Sequence, residues 1–159
     1  MSPTTLALEP PGVPVVLTSA GPAGELIALQ DAFELTHPFI CEGSADIHIP
    51  TGYFSSPEIP RPRGRTWEVI ELGSCESQAR AVRLLRSLYR SWDDMVILIG
   101  LGDDWADRFL MGEVDVPIIV RNDEVDQSGL VRMFPHAFVT LSSGPSGWSE
   151  AILGSMSSS

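Results

Sequence analysis

Between Met95 and Arg121 the chain twice becomes wholly apolar, and the two runs are separated by a segment of a different period. No side chain from Met95 to Gly100 is polar, and none from Val116 to Val120. A strand that alternates leaves one face to water, whereas a strand apolar on both faces is of the kind buried in a parallel sheet. Between the two runs, residues from about Asp104 to Met111 read as a short helix. Strands alternating with helices predict an α/β domain built on a mainly parallel sheet.

The rest of the chain carries the same alternation. Val13 to Thr18 is an apolar run after a Pro-Pro-Gly turn and suits a buried strand. Pro22 stands where a helix begins, and Glu25, Leu26, Ile27, Leu29, Phe33 and Leu35 follow at helical spacing. Pro38 to Cys41 is a second short strand. Ile47 to Ile49 alternates as half of a hairpin, with Pro50 to Gly52 as a turn. Residues 55–65 are a Pro/Arg/Ser-rich loop, and Trp67 to Leu72 alternates like a strand. Glu76 to Trp92 is the best helix: Ala79, Val82, Leu85, Leu88 and Tyr89 share one face, with Arg80, Arg83, Arg86 and Arg90 largely elsewhere. Phe138 to Thr140 reads as the last strand and Trp148 to Leu153 as a closing helix. Residues 1–153 are expected to form a single domain, with 154–159 a disordered tail.

The 159 residues suffice for one domain with its own core. The net charge of −11 argues against the nucleic-acid backbone as a partner, because that affinity comes from clustered cations. All ten basic residues are Arg, so no lysine ammonium is available for Schiff-base, general-base or phosphate-pairing work. No apolar run is long enough for a bilayer, and the first twelve residues lack the form of a secretory signal. Cys41 and Cys75 are too few for a disulfide framework, so a cytoplasmic location is expected, with no membrane partner.

In open parallel sheets, ligands bind beyond the carboxyl ends of the strands. That rule points to Thr18 and Ser19, to Glu42 and Gly43, to Gly102 through Asp107, and to Arg121 and Asn122. The strongest of these is the strand-to-helix junction, where Asp103 and Asp107 lie four residues apart. If the first turn is helical, both carboxylates face one side. Such a pair suits a hard, oxygen-ligated cation like Mg²⁺, which takes one or two carboxylates plus water and phosphate. Asp104 adds charge and is a candidate N-cap. The alternative is purely structural: acidic residues in a first turn oppose the helix dipole and need no metal.

The run Gly100, Gly102, Asp103, Asp107, Leu110, Met111 and then Val114 to Asn122 resembles the metal-binding motif of haloacid dehalogenase phosphatases, and more narrowly that of the mannosyl-3-phosphoglycerate phosphatase group. Three further segments fit that group in order. Gly12 to Ser19 is similar to its second motif strand. Pro38 to Glu42, followed by Ile49 to Phe54, is similar to its third strand and hairpin. Ser143 to Ile152 resembles its C-terminal loop and helix. The resemblance covers most of the chain and implies a haloacid-dehalogenase-like Rossmannoid core. It implies Asp103 and Asp107 as Mg²⁺ ligands and Ser19 as the phosphate-binding hydroxyl, with Asp104, Glu42 and Asn122 nearby. A phosphorylated sugar or glycerate is the implied ligand.

The chain departs from that family at the residues that do the chemistry. The family's nucleophile and acid lie in an Asp-x-Asp-x-Thr motif on a first strand, and no such motif occurs in these 159 residues. Gly21 stands where motif two has a basic residue, and Glu42-Gly43-Ser44 stands where the family reads Glu-Asn-Gly. Gln78 falls at the position of the phosphate-neutralising Lys, and no lysine exists elsewhere to replace it. The cap domain, inserted in the family between regions matching Leu72 and Glu76, is absent. Covalent catalysis, acid catalysis and charge neutralisation are each worth roughly two or more decades of rate. The expectation is therefore a catalytically inactive, phosphatase-like protein that retains a weak Mg²⁺ or phosphate site. The alternative is a fragment of an active sugar-phosphate phosphatase completed by an upstream segment or a partner chain. With the first strand missing, the strands at Val15 and Ile97 must pair directly, expose edges, or borrow a strand within an oligomer that completes the sheet.

Of the remaining residues, His37, His48 and His136 follow no metal spacing and read as structural or surface residues. Trp67, Trp92, Trp105 and Trp148 read as packing residues, with Trp105 closest to the Asp pair. The cluster Arg61, Arg63 and Arg65 either binds an anion or is a solvated loop.

Overall fold

The strands assemble into two sheets, not one, in the computed structural model, which describes residues 14–19, 21–33, 35–41, 46–55, 67–72 and 77–157. The chain accordingly divides into two compact units, one within Gly12–Val96 and one within Ile97–Ser159. Among the described residues no helix is long and apolar enough to cross a membrane.

The first unit holds β1 (Leu17–Thr18), α1 (Ala23–Phe33), β2 (Phe39–Cys41), β3 (Asp46–Pro50), β4 (Trp67–Glu71) and α2 (Ser77–Tyr89). Its four strands lie in sequence order. Only β1 and β2 run parallel, with Leu17 opposite Phe39, because α1 carries the chain back between them. From β2 onward the sheet turns antiparallel, since so short a connection as that between Cys41 and Asp46 admits only a hairpin. The expected parallel sheet therefore holds here for one pair only. Leu26 of α1 is buried against Phe39 and Cys41, with Leu17, Ala23, Ile27 and Trp67 packed around them. The apolar stripe read on α2 is the face it buries: Ala79, Val82, Leu85 and Tyr89 are all buried.

Tyr53 is the polar hub of this unit. It is fully buried, and its hydroxyl lies 2.8 Å from His37 Nδ1 and 2.8 Å from the Tyr89 hydroxyl. The rings of Phe54 and Trp92 stand 4.8 Å away on either account. Burial, reinforced by Tyr53, drives the Tyr89 phenol far above its ordinary range, so it remains a donor. His37 thus serves a packed polar chain in the core, one of the two roles its isolation in the sequence allowed.

The second unit holds β5 (Ile99–Gly102), a single 3₁₀ turn (Trp105–Asp107), α3 (Arg108–Glu113), β6 (Val116–Arg121), α4 (Ser128–Met133), β7 (Phe138–Ser143) and α5 (Gly144–Ser157). All three strands are parallel, in the order β5-β6-β7. This is the Rossmann-like α/β arrangement that the alternating pattern predicts. The strand expected from Met95 begins only at Ile99, and Met95 and Ile97 are 81% and 68% exposed. The shift follows from the register: β6 starts at Val116, whose partner is Ile99. Upstream of that pair, Leu98 gives its N–H to the Asp115 carboxylate at 2.8 Å instead of to a strand.

Two glycines let α3 approach β5. A Cβ on Gly100 would come within 2.8 Å of Val114 and 2.9 Å of Leu110, and one on Gly102 within 2.6 Å of the Asp107 Cβ. Both point to the same face, as residues two apart on a strand do. On β6 and β7, Gly147 does the same for α5: a Cβ there would meet the Ser142 carbonyl at 2.5 Å. The closing helix starts four residues earlier than its apolar spacing suggests and runs on through 154–157, residues expected as a tail. Pro145 stands in its first turn, where a missing N–H costs nothing.

β7 is an edge strand with a break in its ladder between the partners of Ile119 and Arg121. At that bulge the Leu141 and Ser142 amides both donate to the Glu150 carboxylate of α5, at 2.8 and 3.0 Å. These two bonds hold the Glu150 carboxyl below its ordinary range. Among the described residues β1 pairs only with β2, and β5 only with β6. Direct pairing, one of the three arrangements expected for these strands, is not seen there. Each stands instead as an edge of its own sheet.

Candidate functional site

The carboxyl ends of β5 and β6 lie side by side, because Gly102 is in register with Ile119. The chain leaves β5 into Asp103 and leaves β6 into Asn122, so these two side chains meet: Asn122 Nδ2 donates to Asp103 Oδ2 at 3.2 Å. After Asp103 the backbone enters the 3₁₀ turn, with Asp104 extended at its head (φ −130°, ψ 157°). The turn closes when the Asp107 amide donates to the Asp104 carbonyl at 2.9 Å.

Asp107 then curls back over the turn. Its Oδ2 accepts the amides of Asp103 at 3.0 Å and of Asp104 at 3.2 Å. Asp104 stands at the N-cap of the turn, as its position in the sequence suggests, and Asp107, three residues on, is its reciprocal partner in a capping box. Burial raises the Asp107 carboxyl above its ordinary range, the two amide bonds lower it, and the charges of Asp103 and Asp104 raise it again, with burial dominant. Such a carboxylate gains from a cation more than an exposed one does.

A residue not singled out in the sequence ties the site together. Gln127 Nε2 donates to the Asp103 carbonyl and to the Val120 carbonyl, each at 2.8 Å. Its Oε1 accepts the Asn122 amide at 3.2 Å. One side chain thus bridges the ends of both strands. Nothing in the run from Asn122 to Gln127 marks it beforehand except its place beyond a β6 carboxyl end. Arg121, at the end of β6, is engaged by a neighbour on its own loop. It forms an ion pair with Asp123 at 2.9 Å, both side chains largely exposed. Trp105 is half exposed, with the Arg108 guanidinium 4.7 Å over its ring.

Ser19 follows β1 in the other unit. Its amide donates to the Ile40 carbonyl at 2.9 Å, and its Oγ accepts the Gly21 amide at 3.0 Å. The hydroxyl is thus held by a local turn at a strand's carboxyl end, the place the sheet rule assigns to ligands. Glu42 and the Arg61, Arg63 and Arg65 cluster lie outside the described residues. Gln78 stands in the first turn of α2, half-buried. The structure therefore brings Asp103, Asp104, Asp107 and Asn122 together on one set of loops.

Mg²⁺ takes one or two carboxylates and completes its octahedron with water and phosphate. Asp103 and Asp107 each have one oxygen committed to protein donors, and the second meets none among the described residues. Among the described residues no three His, Cys, Asp or Glu side chains are placed to hold a metal ion jointly, so a closed protein cage is not offered. The donor set fits an open, water- and phosphate-completed Mg²⁺ site.

No protein-family model matches the chain. Among curated proteins it is similar to the glucosyl-3-phosphoglycerate/mannosyl-3-phosphoglycerate phosphatase of Methanococcoides burtonii, at 32% identity over 92 residues, 57% of this chain and 32% of that protein. It is also similar to the protein of the same name from Persephonella marina, at 25% identity over 127 residues, 75% of this chain and 44% of that protein. The chain spans about a third of the length of the first relative and under half of the second. Both carry the name of the group that the sequence motifs resemble.

Proposed function

We propose that this chain, similar to glucosyl- and mannosyl-3-phosphoglycerate phosphatases, is a phosphatase-like module that binds Mg²⁺ and phosphate weakly and does not hydrolyse phosphate esters by itself. The observation that carries the reading is the meeting of Asp103, Asp107 and Asn122 where parallel strands β5 and β6 end. Bound there, Mg²⁺ would supply charge neutralisation to a phosphate oxygen. Asp103 and Asp107 would hold it, and Asn122 would keep the Asp103 carboxylate turned; within the first unit, taken by itself, the Ser19 hydroxyl is the candidate phosphate contact.

The inactivity rests on the residues of the polypeptide. Hydrolysis by the family's route needs an aspartate to accept the phosphoryl group and a second, two residues on, to protonate the leaving oxygen. No two Asp residues are two apart in this chain, and no lysine is present to neutralise the phosphoryl oxygens. Calorimetric titration with Mg²⁺ tests the binding: wild type is expected to bind and Asp103→Asn to lose that binding. A phosphatase assay on glucosyl-3-phosphoglycerate and an aryl phosphate tests the inactivity. Turnover by the pure chain that disappears in Asp103→Asn overturns it.

A second reading is favoured by two observations. The chain covers only part of each relative, and β1 and β5 each have an unpaired side among the described residues. On that reading an additional segment supplies a strand with the Asp-x-Asp-x-Thr motif and restores activity. Co-expression with such a segment, followed by the same assay, decides between the two.

A further inference from the structure

We propose that Gln127 is the positioning residue of the carboxylate site, fixing the direction in which Asp103 presents its side chain. The inference rests on the reading of Asp103 as a cation ligand and extends it to a residue on a different loop.

Gln127 occupies the N-cap position of α4, where short polar side chains normally turn inward to accept an amide of their own helix. It makes no such bond; Asp126 accepts the Ser128 amide instead, at 3.0 Å. The Gln127 side chain is thereby released toward the sheet. Its Nε2 faces two carbonyls and its Oε1 faces an N–H, so the partners themselves dictate which end of the amide is which.

The three bonds form a chain of cause. The bond to the Asp103 carbonyl fixes the backbone at the end of β5. The bonds to the Val120 carbonyl and the Asn122 amide fix the exit of β6 on both sides of Arg121. Asn122, so placed, turns its Nδ2 onto Asp103 Oδ2, while the Glu124 amide occupies its Oδ1 at 3.0 Å. The Asp103 carboxylate is thus held from the main chain and from the side chain, and Gln127 contributes to both holds, beside the bond from the Asp103 amide to Asp107. A glutamate would set carboxylate oxygens against two carbonyls. An asparagine, one methylene shorter, could not span both strand ends. A methionine would fill the space and leave one N–H and two carbonyls unpaired.

The test uses the full chain and two readouts. Partners that orient metal ligands are worth about 10–100-fold in affinity. Gln127→Met should therefore raise the Mg²⁺ dissociation constant at least about tenfold in calorimetry. Leu130→Ala, a buried α4 change that touches none of these bonds, serves as the control for destabilisation and should leave that constant within about twofold. Without metal, hydrogen exchange of the Asn122 amide should quicken in Gln127→Met beyond its rate in Leu130→Ala. Equal Mg²⁺ affinity and equal exchange in wild type and Gln127→Met overturn the inference, as does a Leu130→Ala loss matching that of Gln127→Met. If wild type binds no Mg²⁺, the cation reading fails by itself and the exchange comparison alone decides the role of Gln127. Gln127→Asn provides the same comparison should the methionine variant not fold.

Discussion

At the scale of single residues, space and hydrogen-bond bookkeeping decide more than charge. Gly102 shows the first. An added methyl would overlap the Asp107 side chain and crowd Met111, so the strand or the turn must move. Gly102→Ala is expected to destabilise the protein by about 1–3 kcal/mol in urea unfolding, the usual scale of overpacking, and to weaken Mg²⁺ binding with it. Tyr53 shows the second. Tyr53→Phe keeps the ring stack but deprives both His37 and Tyr89 of a partner in the core, and should cost about 1–3 kcal/mol by the same measurement. What the sequence revealed at this scale was uneven. The Asp103 and Asp107 pair and Asn122 were legible because spacing and strand ends bring such residues to one place. Gln127 was not, since its role depends on a loop path that no period encodes. The N-cap place of Asp104 was legible, but the return of Asp107 onto the Asp103 and Asp104 amides was hidden, because a 3₁₀ turn and an α-turn share one acidic pattern.

Elements were most legible where one face is buried throughout. The stripe of α2 and the apolar body of β6 came through because burial leaves a period in the sequence. β5 was misplaced because its apolar run starts four residues before its pairing does, and hydrophobicity does not record register. The short α4 was not predicted. Its six residues bury little besides Leu130, too little to leave a stripe. The two-sheet division was hidden for a related reason, since which strands pair is a property of connections and not of the strands themselves. The bulge of β7 gives a pH test. Glu150 is depressed by the Leu141 and Ser142 amides, so its stabilising share is present above its unfolded value and is lost as pH falls through the lower, folded one. Glu150→Gln should therefore be less stable than wild type at neutral pH and lose less on acidification. Unfolding midpoints between about pH 3 and pH 7 should show the two proteins converging at the acid end.

At the scale of the whole molecule, net charge and mass action are the relevant quantities. A chain of charge −11 concentrates divalent cations near its surface and repels polyanions. If the carboxylate site takes Mg²⁺, the cation must stabilise the fold by the free energy of its binding. At ten times its dissociation constant that is about 1.4 kcal/mol, read as a rise in the thermal midpoint that Asp103→Asn abolishes. Ca²⁺ and Na⁺ at equal ionic strength separate this effect from simple screening.

The staple that Glu150 places in β7 bears on how the three-stranded sheet can be enlarged. Two consecutive main-chain donors there are already occupied, and the strand is kinked where a newcomer would need it straight. β5 carries no comparable obstruction among the described residues, and its last residue leads directly into Asp103. Were a further strand to join this sheet, β5 would offer it the less obstructed edge, on the flank where the acidic loop begins. Growth of the scaffold and delivery of new chemical groups to the loop would then be a single event.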